Sequence, residues 1–361
     1  MAEATQTKTT IAIDPVTRIE GHLKAEVVVE NGKVVDAKLT GGMYRGFESI
    51  LRGRHPRDAA QIVQRICGVC PTAHATAASI ALEKASGTAV PSNGRATRNL
   101  ILGANYLQSH ILHFYHLAGQ DFIQGPDTAP FMPRYAKPDL RLPPAINAVG
   151  VDQYVEALEV RAVCHEMVAL FGGRMPHVHG ILAGGAAEIP TKEKLVEYAA
   201  RFKKVRKFVE EKYLPVVYLV GSQYKDLGAF GQGYRNALCV GVFPLDDEGK
   251  EFVFKAGAYQ DGKDMPFDVK RVTEDVKFSW FADSTSGKPF TKGENVLEVD
   301  KKGAYSFVKA PLYNGKPMEV GPLARMWVNN KPISSIGQKL FKEYFGLDVT
   351  LNYSKWIITK S

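Results

Sequence analysis

Two cysteines stand two residues apart in Arg65-Ile-Cys67-Gly-Val-Cys70-Pro-Thr-Ala-His74, and any fold the chain takes must present that pair. This spacing lets both sulfurs reach one metal, and Gly68 relieves backbone crowding in the turn between them. Thiolates favour soft or borderline ions, among them zinc, nickel and iron–sulfur clusters. A histidine four residues after Cys70 returns to the same side of a helix starting near Pro71, so His74 could ligate or hydrogen-bond a bound sulfur. Simpler readings compete. A c-type haem site needs histidine directly after the second cysteine, where Pro71 stands, and that reading fails. A structural zinc site needs two more ligands, and no second Cys-x-x-Cys exists in the chain. A thioredoxin-like redox pair wants a βαβ setting, whereas this motif falls between helical patterns.

The remaining cysteines, Cys164 and Cys239, are isolated, so a secreted disulfide framework is not indicated. The 361 residues carry a formal net charge of +8. The excess is dispersed, with one dense run at Lys203, Lys204, Arg206 and Lys207 that reads as a solvated helix face. No aromatic or glycine-rich platform stands beside it, and no nucleic-acid function is expected. The N-terminus lacks the basic-then-apolar pattern of a signal peptide, and the apolar stretch Leu214 to Val220 is far too short to span a bilayer. The chain is expected to be soluble and cytoplasmic, unless a partner carries it to the periplasm or a membrane face, which would leave no mark here.

Residues 10–40 alternate apolar and polar, with Leu23, Ala25, Val27 and Val29 on one face. Asn31-Gly32 between two such runs predicts a β-hairpin, because both turn residues need positive φ. From His55 the pattern is helical, with Pro56 in a first turn and Ile62, Val63 and Ile66 as an apolar stripe. Further helices are expected over Thr72 to Ala85, stopped by Gly87, and over 95–118, where Leu100, Ala104, Leu107, Ile111 and Phe114 recur at helical spacing. Residues 125–150 read as proline-rich loop. Asp152 and Thr191 are placed as caps of helices reaching Phe171 and about Tyr213. Runs such as Glu251-Phe-Val-Phe-Lys255 and Val276-Lys-Phe-Ser-Trp280 predict strands. The fold class is α+β: a mainly helical core built as a long-helix bundle, an N-terminal β-hairpin and a β-rich insertion. The expected segments are 1–55 for the hairpin region, 56–213 for the helical core, 214–310 for the β-rich excursion and 311–361 for a return to the core, ending in a partly apolar stretch from Leu351.

Around the cysteines the neighbours are specific. Gly41-Gly-Met-Tyr-Arg-Gly-Phe-Glu48, Leu51-Arg-Gly-Arg54, Pro56, Asp58-Ala59 and Arg65-Ile-Cys-Gly-Val-Cys70 follow in order. Val16-Thr-Arg-Ile-Glu-Gly-His22, His110-Ile-Leu-His-Phe-Tyr-His-Leu117 and Phe171-Gly-Gly-Arg-Met-Pro-His177 extend the series, with His179, Gly184-Gly185 and Glu319-Val-Gly-Pro-Leu-Ala-Arg325. This series closely resembles the large, catalytic subunit of nickel–iron hydrogenases and covers nearly the whole chain.

The resemblance implies reversible heterolytic splitting of hydrogen at a nickel–iron centre whose iron carries carbon monoxide and cyanide. Cys67 would be a terminal nickel ligand, able to take up the proton, and Cys70 would bridge nickel and iron. Glu20 matches the first proton relay, a role that calls for a shielded carboxylate of raised pKa. Glu48 matches a ligand of a structural Mg2+, a hard cation suited to carboxylate oxygen. His74 matches a donor to the bridging sulfur. Val69 and Leu117 match apolar positions along the gas path, a role compatible with plain core packing. The spacing of His110, His113 and His116 drifts around a helix, and neither these nor His177 and His179 are expected to bind metal. Two departures stand out. Ser109 occupies a position where many relatives carry aspartate, and the second, C-terminal Cys-x-x-Cys is missing from the sequence. The expected partners are therefore an iron–sulfur small subunit, which holds all the clusters, and a second chain or fragment bearing the other cysteine pair. The alternative is a non-catalytic, hydrogenase-derived scaffold or assembly subunit, which would have no need of Cys67 and Cys70.

Overall fold

Local turn chemistry places the first sheet. Strands β2 (Leu23–Glu30) and β3 (Lys33–Gly41) pair antiparallel with Glu30 opposite Lys33. Asn31 and Gly32 between them take φ of 52° and 76°, the mirror-image turn that suits strand twist. The computed structural model describes residues 8–134, 138–230, 233–289, 291–292, 294–329 and 334–346. A strand not anticipated from the sequence, β1 (Lys8–Ile13), pairs antiparallel along the other edge of β2. Burial does not set the face of Leu23, Ala25, Val27 and Val29 apart: every residue of β2 is half-buried, and the register slips between Val28 and Val29. Neighbouring strands shield β2 from its sides, and the bulge interrupts strict alternation.

After the short α1 (Phe47–Leu51), the stretch from His55 is helical but broken. A 3₁₀ turn at Pro56–Asp58 leads into α2 (Ala59–Ile62), then a second 3₁₀ turn at Val63–Ile66. Tightening to three residues per turn rotates the faces, so Ala60 and Gln64 are buried while Ile66 is exposed. Helix α3 (Pro71–Ser86) ends at Gly87, whose φ of 68° closes it. Helix α4 (Ser92–Leu112) runs on into a π-helical turn, His113–Ala118. Helix α5 (Pro144–Gly172) starts well before Asp152, which is therefore not its cap. Pro144 in its first turn lacks only an N–H that would have no intrahelical partner. Strands β4 (Ile181–Leu182) and β5 (Gly185–Ala186) form a small pair. Thr191 caps α6 (Lys192–Phe208), its hydroxyl accepting from the Lys194 N–H. A second π turn, Val209–Tyr213, joins α6 to α7 (Leu214–Gln223), so residues 214–223 are helical rather than part of a β-rich excursion.

Short strands follow: β6 (Ala237–Cys239), β7 (Val242–Pro244), β8 (Phe252–Phe254), β9 (Gly257–Gln260), β10 (Lys263–Met265), β11 (Val272–Asp275), β12 (Ala310–Tyr313) and β13 (Lys316–Pro317). The run 251–255 contains β8 as expected, but 276–280 is a turn beyond β11. Helices α8 (Pro322–Val328) and α9 (Ser335–Phe345) come last. The segment from Leu351 lies outside the described residues. The fold is mixed, helices with several small sheets.

Two units emerge, and they cut across the segments expected from sequence. Residues 1–49 join 267–319, uniting β1–β3 with β11–β13. Within this unit the Gly41 N–H donates to Ser306 Oγ at 3.0 Å, and Tyr44 stacks on Phe307 at 5.4 Å. Residues 50–266 and 320–361 form the other. Its core gathers Ile101 and Ile111 of α4, Met167 and Phe171 of α5 and Phe208 of α6, with Tyr115 of the first π turn. The two π turns meet ring to ring, Phe114 against Tyr213 at 5.4 Å. Arg98 of α4 donates to Glu83 of α3 and to the Leu182 carbonyl. Glu83 in turn accepts from the Gly184 N–H, so one buried ion pair ties three elements. Removing one partner from such a pair costs about 3–5 kcal/mol.

Candidate metal centre

The backbone on either side of the motif aims both sulfurs. The second 3₁₀ turn stops at Ile66, and Cys67 turns extended (φ −145°, ψ 131°) while its N–H reaches back to the Gln64 carbonyl at 3.4 Å. Cys70 then forms the N-cap of α3, with Pro71 in the first turn. The two Sγ atoms lie within 4.8 Å of each other. The Cys70 N–H donates to Cys67 Sγ at 3.4 Å. Both cysteines are half-buried, reachable by an ion yet partly removed from water. Cys164 differs: it is fully buried, and burial pushes its thiol up to about 12. Cys239 is buried as well.

Several side chains hold this turn from beneath. Gln64 donates to the Val178 carbonyl at 2.9 Å, and Gln61 reaches the same oxygen at 3.3 Å. The glycine-flanked loop around His177 is thereby fastened to the approach to Cys67. On the far side of the motif, Gln108 of α4 donates to the Val69 carbonyl at 2.9 Å. Sequence reasoning missed Gln64 and Gln108, since glutamine in a helical pattern reads as solvent-facing; only their nearness to the motif, in sequence for Gln64, could have flagged them.

His74 sits one turn into α3, half-buried, and burial holds its pKa below the ordinary histidine value. It is a neutral imidazole at neutral pH, with one N–H to donate. His110 and His113 are exposed, while His116 is half-buried with Nε2 3.2 Å from the Tyr154 carbonyl. Val69 and Leu117 are half-buried. Among the described residues, none of His74, His110, His113, His116, His177 and His179 belongs to a group of three or more metal-capable side chains.

Glu20 belongs to the other unit, on the turn between β1 and β2, flanked by Arg18 (φ 58°) and Gly21 (φ 102°). It is exposed, so the shielding expected of a relay carboxylate is not given by these residues. The same turn pairs His22 with Asp14 at 3.1 Å. Glu48, in the first turn of α1, is exposed and in no group of three or more metal-capable side chains among the described residues.

Comparison with known proteins follows the same residues. The family described as nickel-dependent hydrogenase matches residues 45–125 and 120–349, and one described as HoxL-like matches 10–40. The chain is 60% identical to the periplasmic [NiFeSe] hydrogenase large subunit of Desulfomicrobium baculatum, across 94% of this chain and 68% of that protein. It is 33% identical to the hydrogenase-2 large chain of Escherichia coli K12, across 88% and 67%. The Ni-Fe-Se hydrogenase of D. vulgaris Hildenborough in the reduced state superposes with a TM-score of 0.92 at 64% identity, across 98% of this chain and 78% of that one. A hydrogen-activated [NiFeSe] hydrogenase of Dm. baculatum gives 0.93 at 58%, across 97% and 74%. The chain thus spans about two thirds of the length of its curated relatives, and with motif, fold and likeness in agreement, it belongs to the nickel-dependent hydrogenase family.

Proposed function

We propose that this chain acts as the large subunit of a nickel–iron hydrogenase, with Cys67 and Cys70 among the protein ligands of its metal centre. The observation that supports this most is the pair of half-buried sulfurs within 4.8 Å at the N-terminus of α3. Two anionic, polarizable donors fit nickel and iron and suit hard cations poorly. When bound, such a centre would supply heterolytic cleavage of hydrogen and accept the electrons.

The chain's own residues then have distinct tasks. Cys67 would hold nickel, and its sulfur would take up the released proton. Cys70 would be the second thiolate holding the centre, and His74 would donate an N–H to its sulfur. Glu20 is the first carboxylate of the proton path. Glu48 gives a carboxylate oxygen to a structural Mg2+. Val69 and Leu117 border the path by which gas enters. Cys164 and Cys239 are buried apart from any ligand spacing, so the remaining donors come from residues outside this sequence, on a continuation or a second polypeptide. Relatives are described as NiFeSe enzymes, which makes selenium a candidate among those donors. Electrons leave through iron–sulfur clusters of a small subunit, since Cys67 and Cys70 are committed and two further cysteines cannot hold a four-ligand cluster. As one relative is described as periplasmic, we place the assembled complex there, exported with its partner.

The test is metal and selenium analysis of the native complex, with nickel-edge absorption to count sulfur-type neighbours. Nickel and iron together, with nickel lost in Cys67→Ser and Cys70→Ser, are expected. Zinc in their place would leave a structural zinc site, and no metal at all a scaffold; either outcome would sink the reading.

A further inference from the structure

We propose that Gln108 is a positioning residue for the metal centre: reaching from α4 to the loop between Cys67 and Cys70, and oriented by Arg161 of α5, it fixes the separation of the two sulfurs. This rests on the reading of Cys67 and Cys70 as metal ligands.

Between the cysteines only Gly68 and Val69 determine the path of the chain. Gly68 is exposed, and a Cβ built on it would meet nothing within 4 Å, so packing does not restrain the loop there. Glycine also leaves the widest choice of backbone angles. The restraint falls one residue later, where the Val69 carbonyl accepts from Gln108 Nε2 at 2.9 Å. Gln108 itself is fully buried at 0% exposure, so its amide answers only to protein groups.

An amide has two unlike ends, and the surroundings accept just one orientation. Arg161 Nε donates to Gln108 Oε1 at 3.1 Å. A guanidinium has donors only, and a carbonyl accepts only. Flipping the amide would set its N–H groups against Arg161 and its oxygen against the Val69 carbonyl, a mismatch at both ends. The second Nε2 proton points to Ser109 Oγ at 2.9 Å, with Asn105 Oδ1 farther away at 3.4 Å. A bond lost from a buried group leaves that group unsatisfied, which is enough to hold a single arrangement. The order of control therefore runs from α5 through Arg161 to Gln108, and from Gln108 to the turn that carries the sulfurs. A ligand pair held this way keeps its spacing before the metal arrives, which is preorganisation of the site.

Gln108→Glu separates clamping from simple packing. The carboxylate is nearly isosteric and still accepts from Arg161, so its charge stays paired, but it has no proton for the Val69 carbonyl. In the complex co-expressed with its small subunit, the Gly68 and Cys70 amides should exchange hydrogen about tenfold faster, with α4 amides unchanged. The nickel electron paramagnetic resonance spectrum should shift and the nickel content fall several-fold. Arg161→Lys, which keeps charge but not the Nε geometry, should change both readouts in the same direction by less, and serves if Gln108→Glu does not assemble. Wild-type exchange at Gly68 and Cys70 overturns the proposal, as does faster exchange with a wild-type nickel spectrum. A wild-type complex without nickel would overturn the functional reading, while the exchange rates would still decide the clamp.

Discussion

A carboxylate that relays protons must be able to take one up and give it back, and amide nitrogen cannot stand in for it. Gln at position 20 keeps the shape and hydrogen bonding of Glu20 but has no titratable group. In Glu20→Gln the hydrogen-oxidation rate should drop about 100-fold or more, the scale of lost acid–base assistance, while nickel content stays at the wild-type level. Unchanged turnover removes Glu20 from the path. The motif frame around Glu20 was legible in the sequence; its exposure was not, because sequence shows neighbours along the chain and not what covers a turn. That Cys67 and Cys70 lie close together was legible from their spacing, and so was their separation from Cys164 and Cys239. Gln108 was hidden, since a buried glutamine is chosen by a carbonyl 39 residues away.

At the scale of the elements, half-buried histidines make stability depend on pH. Burial lowers the pKa of His116 and His165, with Arg161 acting in the same direction, and also that of His74. For His177 burial is joined by Arg65 and Arg174. Unfolded, each returns to about 6.5. Below that value the unfolded chain binds protons that the folded chain refuses, so stability is present at higher pH and is lost as pH falls through 6.5 towards the lowered folded values. The melting temperature should therefore fall between about pH 7.5 and about pH 5.5, before carboxylates titrate, and fall less in His165→Leu. A flat profile across that window would show these rings are not kept neutral by the fold. Element by element, capped boundaries were the readable ones: Gly87 and Thr191 act where their chemistry places them. The start of α5 was concealed by prolines that read as loop, although Pro144 suits a first turn. The 3₁₀ breaks before Cys67 keep an apolar stripe on paper that the tightened turns rotate out of the core.

At the scale of the whole molecule, apolar surface calls for cover. Ile11, Ile13, Val34, Val35 and Leu39 are exposed in one unit, and Val149, Val155, Leu158 and Val196 in the other. Among the described residues no helix is long and apolar enough to cross a membrane. Co-expression with an iron–sulfur small subunit should yield a complex with one copy of each, held by an interface of the large obligate class, about 2,000 Å² or more. Size-exclusion chromatography with light scattering reads the mass. A stable monomer that oxidises hydrogen unaided would refute the partner. The grouping of 267–319 with the N-terminal strands was beyond sequence reasoning, because such long-range pairing leaves no periodicity to read.

The π-helical turns at His113–Ala118 and Val209–Tyr213 give the chain an allowance in length. A wide turn holds one residue more than the α-helical path requires, so deleting one residue there lets the turn relax to α-helix with everything downstream still in place. The same deletion inside α4 would rotate all that follows by about 100°. Lineages related to this chain should thus gain and lose single residues at these two turns far more readily than in the helices that flank them.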